Sequence, residues 1–220
     1  MSKTVILSCP TLKRELMSIM EAHHSDAVVH FMPRTLHSDP AKLHKYVQNA
    51  IDNLWNVDRI VVCASRCGGG TANLKATTAP LVLPRTRDCL DILLSGTGLD
   101  SLHRDIGGIY YTESWMEFSK NSSINLDTLI EKKGKKEAED FIRRLYRTFN
   151  KFYIIDTGCY DIKEVEDYIA PLVKILDGTV TVLKGGCGIL HKMATEKFDD
   201  DFVIIPKGET VPGEAFLENK

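Results

Sequence analysis

Arg59-Ile60-Val61-Val62-Cys63-Ala64-Ser65-Arg66-Cys67-Gly68-Gly69-Gly70-Thr71 is the stretch that decides the fold. Its first five residues are a short β-branched run and read as a strand. Cys67-Gly68-Gly69-Gly70-Thr71 then joins that strand to a helix. Outward from it, the same alternation recurs, and β-branched runs alternating with helical patterns are the signature of βαβ units and a parallel sheet. On the N-terminal side are strands at Thr4–Ser8 and Ala27–Met32. Between and after them lie helices with apolar stripes Leu12, Leu16, Ile19, Met20 and Leu43, Val47, Ile51, Leu54. Ser38-Asp39-Pro40 opens the second of these helices, with the proline where a missing N–H costs nothing.

On the C-terminal side a fourth strand is expected at 81–83, short helices at 90–94 and 99–106, and a strand at 108–112. A charged helical stretch from 126 to 149 breaks at Gly134. The opening pattern then returns: strand 152–156, helix 162–176, strand 179–183, a Gly-Cys-Gly turn, a short helix to Ala194, and strand 202–205. Arg66-Cys67-Gly68 followed by Leu81-Val-Leu-Pro-Arg85 parallels Gly186-Cys187-Gly188 followed by Val203-Ile-Ile-Pro-Lys207, a weak internal repeat. The fold class expected is therefore α/β, two Rossmann-like parallel-sheet halves with a cleft at the strand carboxyl ends. The expected ranges are an N-terminal half at 1–120, a charged helical connector at 121–150, and a C-terminal half at 151–220.

The 220 residues carry a net charge of −2 and no basic stripe, which gives no electrostatic reason to expect nucleic acid. No apolar run approaches the roughly 20 residues needed to span a bilayer, and the N-terminus lacks a signal-peptide pattern. The expected location is cytoplasmic. There thiols stay reduced, so the six cysteines read as metal ligands, redox groups or core fillers rather than a disulfide framework.

Five of those cysteines sit where an expected strand ends, and Cys89 follows one closely. In an open parallel sheet the carboxyl ends form one rim where ligands bind, so the fold would gather thiols that the sequence scatters. His37 follows the second strand to the same rim. One imidazole with Cys9, Cys67 and Cys89 makes a tetrahedral set for zinc, and thiolate-rich sets also hold iron–sulfur clusters. The same residues also suit a plainer arrangement, with His37 capping the helix near Asp39 and the cysteines as small core side chains. A helix start after Cys67 would favour its thiolate. Gly68, Gly69 and Gly70 would let backbone approach a ligand, although neither a Walker A loop nor the dinucleotide fingerprint is present. Arg85 suits a carboxylate or phosphate, or an acidic neighbour. Tyr110, Tyr111 and Trp115 suit either a flat ligand's pocket or the core.

Several short blocks together carry a family resemblance. They are the strand ending in Cys9 with Thr11-Leu12-Lys13, Met32-Pro-Arg-Thr-Leu-His-Ser-Asp-Pro40, Cys67–Gly70, Pro84-Arg85 with Asp88-Cys89, Tyr111-Thr-Glu-Ser-Trp115, and Asp156-Thr-Gly158. Across nearly its whole length the chain resembles domain-of-unknown-function family 1638. The resemblance implies that the positions of Cys9, His37, Cys67 and Cys89 recur, while Cys159 and Cys187, candidates for an additional metal site, are less typical. It also implies a setting beside corrinoid proteins and their methyltransferases, which would be the partners. A metal-thiolate protein of corrinoid-linked one-carbon metabolism, binding a small ligand in the cleft, is the function expected. If it is an enzyme, it would be of the metal-dependent methyltransferase type. The alternatives are a non-catalytic accessory protein that binds or chaperones a corrinoid, and an iron–sulfur protein that reactivates one. The corrinoid-carrier signature Asp-x-His-x-x-Gly is absent from the sequence.

Overall fold

The computed structural model describes residues 3–100 and 102–217. In chain order its elements are β1 (Thr4–Ser8), α1 (Lys13–Ala22), β2 (Val28–Phe31), α2 (Pro40–Asp52), β3 (Arg59–Cys63), β4 (Leu81–Pro84), α3 (Cys89–Leu94), β5 (Ile109–Tyr111), α4 (Glu113–Lys120), α5 (Leu126–Lys133), α6 (Lys135–Leu145), β6 (Lys151–Asp156), α7 (Ile162–Ile175), β7 (Thr179–Lys184), α8 (Gly188–Ala194) and β8 (Phe202–Ile205). Short 3-10 turns at Pro10–Leu12, Arg34–Leu36, Cys67–Gly69 and Gly213–Ala215 complete the described elements.

The chain forms two compact units, Met1–Leu102 with Gly186–Lys220, and His103–Gly185. The first contains a five-stranded sheet of order β2-β1-β3-β4-β8. Its first four strands run parallel, and β8 pairs antiparallel with β4, Leu81 facing Ile205 and Pro84 facing Phe202. The second contains a parallel three-stranded sheet, β5-β6-β7. The expected α/β class with two largely parallel sheets is thus the observed one.

The expected residue ranges are not the observed ones. The stretch 121–150 is no connector: α5 and α6 belong to the second unit, where Leu129, Ala138, Ile142 and Ile175 form a core cluster. After β7 the chain leaves the second unit, and α8 and β8 complete the first. The paired motifs around Cys67 and Cys187 therefore do not occupy matching places in two halves. Their following strands, β4 and β8, are antiparallel neighbours in one sheet.

In the first unit β1, β3 and β4 are buried almost without interruption, the pattern of strands covered on both faces. Ile6, Leu12, Leu16, Val47, Ile51 and Ile60 are fully buried, so the expected helical stripes do face the core. Asp39 caps α2, its carboxylate accepting from Lys42 N–H at 3.0 Å, and Pro40 follows at the first position. Gly134, at φ +80°, separates α5 from α6 as expected.

Two expected helices are absent. Residues 99–106 are irregular where described, and Ser101 lies outside the described residues. No α-helix follows Thr71 either. There Asn73 N–H donates to Val211 C=O, Ala76 N–H to Glu209 C=O and Val211 N–H to Leu74 C=O. Those backbone groups are held by a segment some 135 residues later, and a helix would need them for itself. No helix among the described residues is long and apolar enough to cross a membrane.

Candidate functional site

The carboxyl ends of parallel β1, β3 and β4 place Cys9, Cys63 and Cys67, and Cys89 along one edge of the first sheet. Cys9 is the residue after β1, and its N–H donates to Cys63 C=O at 3.1 Å, which extends the β1–β3 ladder by one step. Its sulfur is hydrogen-bonded to Cys89, His37 and Thr11, the last at 3.0 Å. Hydrogen bonds to the sulfur, Cys89 first, outweigh burial and hold the Cys9 thiol well below its ordinary range. Cys9 is therefore the member of the group whose ionised form is most favoured.

The partners shift the other way. Donating to Cys9, together with burial, pushes Cys89 well up. Burial pushes Cys63 up to about 12 and raises Cys67 too, with the Cys9 charge and Asp88 adding to it. Cys9 is thus lowered while Cys63, Cys67 and Cys89 are raised, as expected where several like charges would share one buried site. The expectation that a helix start would lower Cys67 fails: only a short 3-10 turn begins there, no α-helix, and although the residue is partly exposed its sulfur is surrounded closely enough that desolvation raises it.

His37 follows the 3-10 turn at Arg34–Leu36 and is exposed. It does not cap α2, since Asp39 does. Its imidazole meets Cys9 instead, so a polar, solvent-facing group stands over a buried sulfur.

The loop that carries Cys67 is unusual. Ser65 and Cys67 both have left-handed backbone, at φ +52° and +43°, followed by Gly68 at +68° and Gly69 at +96°. Side-chain-bearing residues avoid this region, and surrounding bonds hold it here. Ser65 Oγ meets Thr86 Oγ1 at 2.6 Å, Arg66 N–H donates to Thr86 C=O, and Cys67 N–H to Arg87 C=O. The Cys67 thiol donates to Ala64 C=O. A Cβ on Gly70 would stand 2.9 Å from Leu43 Cδ2 and 3.0 Å from Pro40 C=O, and one on Gly68 3.0 Å from Pro40 Cγ. These two glycines let the loop press against the start of α2, and only Gly69 has open space beside its α-carbon.

Arg85 binds the chain itself. Its guanidinium donates to Phe202 C=O and Ala215 C=O, each at 3.4 Å. The sequence reading missed Asp91, a fully buried carboxylate. Arg87 engages it in a fork, Nε to Oδ2 at 2.7 Å and Nη2 to Oδ1 at 2.8 Å, with Arg87 N–H donating as well. The opposite charges four residues apart on a helix start were the available signal. Together with Asp88, which caps α3 through Leu90 and Asp91 N–H, this pair fixes the turn carrying Cys89.

The two remaining cysteines stand apart from the four. Cys187, left-handed at φ +50°, begins α8 and points its thiol at Leu93 C=O, at the other end of α3 from Cys89. Cys159 follows β6 in the second unit. Among the described residues, no group of three or more His, Cys, Asp or Glu side chains is arranged to hold a metal ion. As they stand, Cys89 and His37 hydrogen-bond the Cys9 sulfur, while the Cys67 thiol is turned to the Ala64 carbonyl.

A model of the family described as "Protein of unknown function (DUF1638)" matches residues 31–194 of the chain. No curated protein and no solved structure matches it.

Proposed function

Because this chain belongs to the DUF1638 family of proteins of unknown function, its activity has to be read from its own residues, and we propose that Cys9, His37, Cys67 and Cys89 form a transition-metal centre acting in corrinoid-linked methyl transfer. One observation carries the metal reading. A second thiol and an imidazole are hydrogen-bonded to the Cys9 sulfur, which lowers the Cys9 thiol, and a third thiol, Cys67, lies close enough to feel its charge. Three sulfurs and one imidazole nitrogen are a tetrahedral donor set for zinc, and the chemistry of the set fits that ion. Bound there, zinc would supply Lewis acidity that keeps an incoming thiol deprotonated at neutral pH. The corrinoid setting comes from the family resemblance.

The protein's own residues would do three things on loading. Cys9, its thiol lowered by its hydrogen bonds, offers the ligand that deprotonates most readily. Cys89 gives up the proton it shares with Cys9, and Cys67 swings from the Ala64 carbonyl. Loading therefore releases protons, and affinity rises with pH. Gly69, with open space beside it, leaves room for a small ligand next to Cys67.

Anaerobic purification followed by zinc, iron and cobalt analysis and a visible spectrum tests the proposal. One zinc per chain, lost in Cys9→Ser and Cys67→Ser, is expected. Iron with broad absorbance that dithionite bleaches would replace zinc by an iron–sulfur cluster. Metal well below stoichiometric would sink the centre. A second reading, a metal-free accessory protein that handles a corrinoid, is favoured by the lack of a ready metal-holding group among the described residues. Stoichiometric cobalamin binding to metal-free protein is its mark.

A further inference from the structure

The second unit, which contains none of Cys9, His37, Cys67 and Cys89, holds a cavity of about 230 Å³. Five aromatic side chains line it: Tyr111 from β5, Trp115 and Phe118 from α4, Tyr146 after α6, and Tyr168 from α7. The volume is below that of pockets for drug-sized ligands. At about 30 Å³ per water it equals some seven or eight waters, room for a small organic molecule.

The rings form walls rather than a stack. Tyr111 and Tyr168 meet at 64° with centroids 6.3 Å apart, and Trp115 and Phe118 meet at 73° and 5.4 Å. Ser119 hydrogen-bonds both Tyr111 and Tyr168, and Asn125 Nδ2 donates to the Tyr168 hydroxyl at 3.0 Å. The Asn125 side chain in turn caps α5, accepting from Asp127 and Thr128 N–H. The box is thus fixed before any ligand enters. Burial raises the Tyr111, Tyr146 and Tyr168 hydroxyls, so they remain neutral.

The charge of the lining selects the ligand. Among the described lining residues only Asp127 carries an acidic or basic side chain, and it is exposed. Aromatic faces attract cations through their quadrupole, and rings set around one space are the recognised way to hold an alkylated ammonium. The protein's own Lys120 ammonium, paired with Glu117 at 2.8 Å, lies 5.8 Å from the Tyr168 ring centre, within cation–π range. We propose that this cavity binds a small alkylammonium ion, its charged nitrogen among the five rings and Asp127 balancing the charge. The proposal does not depend on the metal centre, and either stands if the other fails.

Fluorescence of Trp115 reads it directly, because the chain has two tryptophans and the other, Trp55, lies in the first unit and is replaced in a Trp55→Phe background. Choline and its uncharged carbon analogue, 3,3-dimethylbutan-1-ol, are titrated in parallel. Choline is expected to saturate the signal in the millimolar range or better, with the alcohol at least about tenfold weaker. Asp127→Asn should weaken choline about three- to tenfold and leave the alcohol unchanged. Phe118→Leu, which keeps an apolar side chain but removes a ring, should weaken choline more than the alcohol. Equal or tighter binding of the alcohol would make the cavity merely apolar and overturn the proposal. So would the absence of saturation by choline or tetramethylammonium up to about 100 mM.

Discussion

In the first unit β1, β3 and β4 are buried along nearly their whole length, whereas β7 of the second unit is exposed at five of its six positions. The difference decides where each unit can keep chemistry. Loops that leave fully covered strands carry their side chains to a largely buried edge, where one thiol is lowered and three others are raised. The second unit collects its ring-lined space from helices and helix ends instead. The two regions therefore respond to different perturbations: the first to lost polar partners and altered proton balance, the second to lost apolar volume.

The largest effects expected follow that division. Asp91→Ala leaves the Arg87 guanidinium, itself only 13% exposed, facing no carboxylate, and removes the acceptor of Arg87 N–H. Breaking such a pair costs about 3–5 kcal/mol. In the second unit Phe152→Ala, at 1% exposure in the core with Tyr111, Ile154 and Ile169, also costs about 3–5 kcal/mol, through lost burial and a cavity. Urea unfolding followed by residue-resolved hydrogen exchange should place the Asp91 loss in β3, β4 and α3, and the Phe152 loss in β6 and α7. Loss of less than about 1 kcal/mol in Asp91→Ala would mean that the buried pair is not what fixes the Cys89 turn.

The strands of both units were legible because continuous runs such as Ile60–Cys63 and Phe152–Ile155 cannot be placed except in a covered sheet. The thiol edge was legible for the same reason: once β1, β3 and β4 run parallel, Cys9, Cys67 and Cys89 must share a rim. What the sequence concealed was long-range. The helix expected after Thr71 yields to pairing with residues 209–211, a partner that no local window contains. The antiparallel direction of β8 depends on how α8 packs against α1 and α3. Trp115 and Tyr111 were visible as pocket candidates, and Tyr110 fell in the same group, yet Tyr110 stacks on Tyr153 at 4.8 Å and takes no part in the cavity. Strand alternation separates the neighbours, since adjacent residues face opposite sides. Tyr146 and Tyr168 come from distant helices and carried no signal.

A smaller effect sharpens the account of the thiol loop. Gly70→Ala places a methyl 2.9 Å from Leu43 and 3.0 Å from a main-chain oxygen of α2, and helix backbone does not yield as a side chain does. The expected cost is about 1–3 kcal/mol, and Cys67 should move with the loop, so the proposed centre, where it takes up metal, should retain less of it. Gly69→Ala meets open space but keeps a strained φ of +96°, so it separates crowding from backbone strain. Equal loss of metal in both variants would assign the effect to strain.

Proton balance distinguishes the units more gently. Cys63 is raised from an ordinary value of 9.0 to about 12 by burial. Its neutral form contributes fully below pH 9. Between 9 and about 12 the unfolded chain loses a proton that the folded chain keeps, so stability falls as pH rises. The slope for one proton is at most about 1.4 kcal/mol per pH unit. Cys67 and Cys89 share that sign. Cys9, lowered in the fold, has the opposite one: it contributes above the unfolded value and loses its contribution as pH falls through its folded value. Urea midpoints from pH 8 to 11 should decline less steeply in Cys63→Ala than in the parent chain. Parallel slopes would remove the buried-edge explanation.

The smallest change concerns the exposed strand. Val180 and Val182 on β7 are 42% and 43% exposed, and β7 is an edge of its sheet. Val182→Lys gives up little burial and places a charge where a strand of another chain would pair. Stability should move by under about 1 kcal/mol, set by strand preference alone, while charge on an exposed edge opposes edge-to-edge association. Light scattering at high protein concentration should show less association in the lysine variant, and urea unfolding should show nearly unchanged stability. A loss near that of Phe152→Ala would mean that the outer face of β7 is covered in solution, and the contrast between a dry first sheet and an open second one would fail.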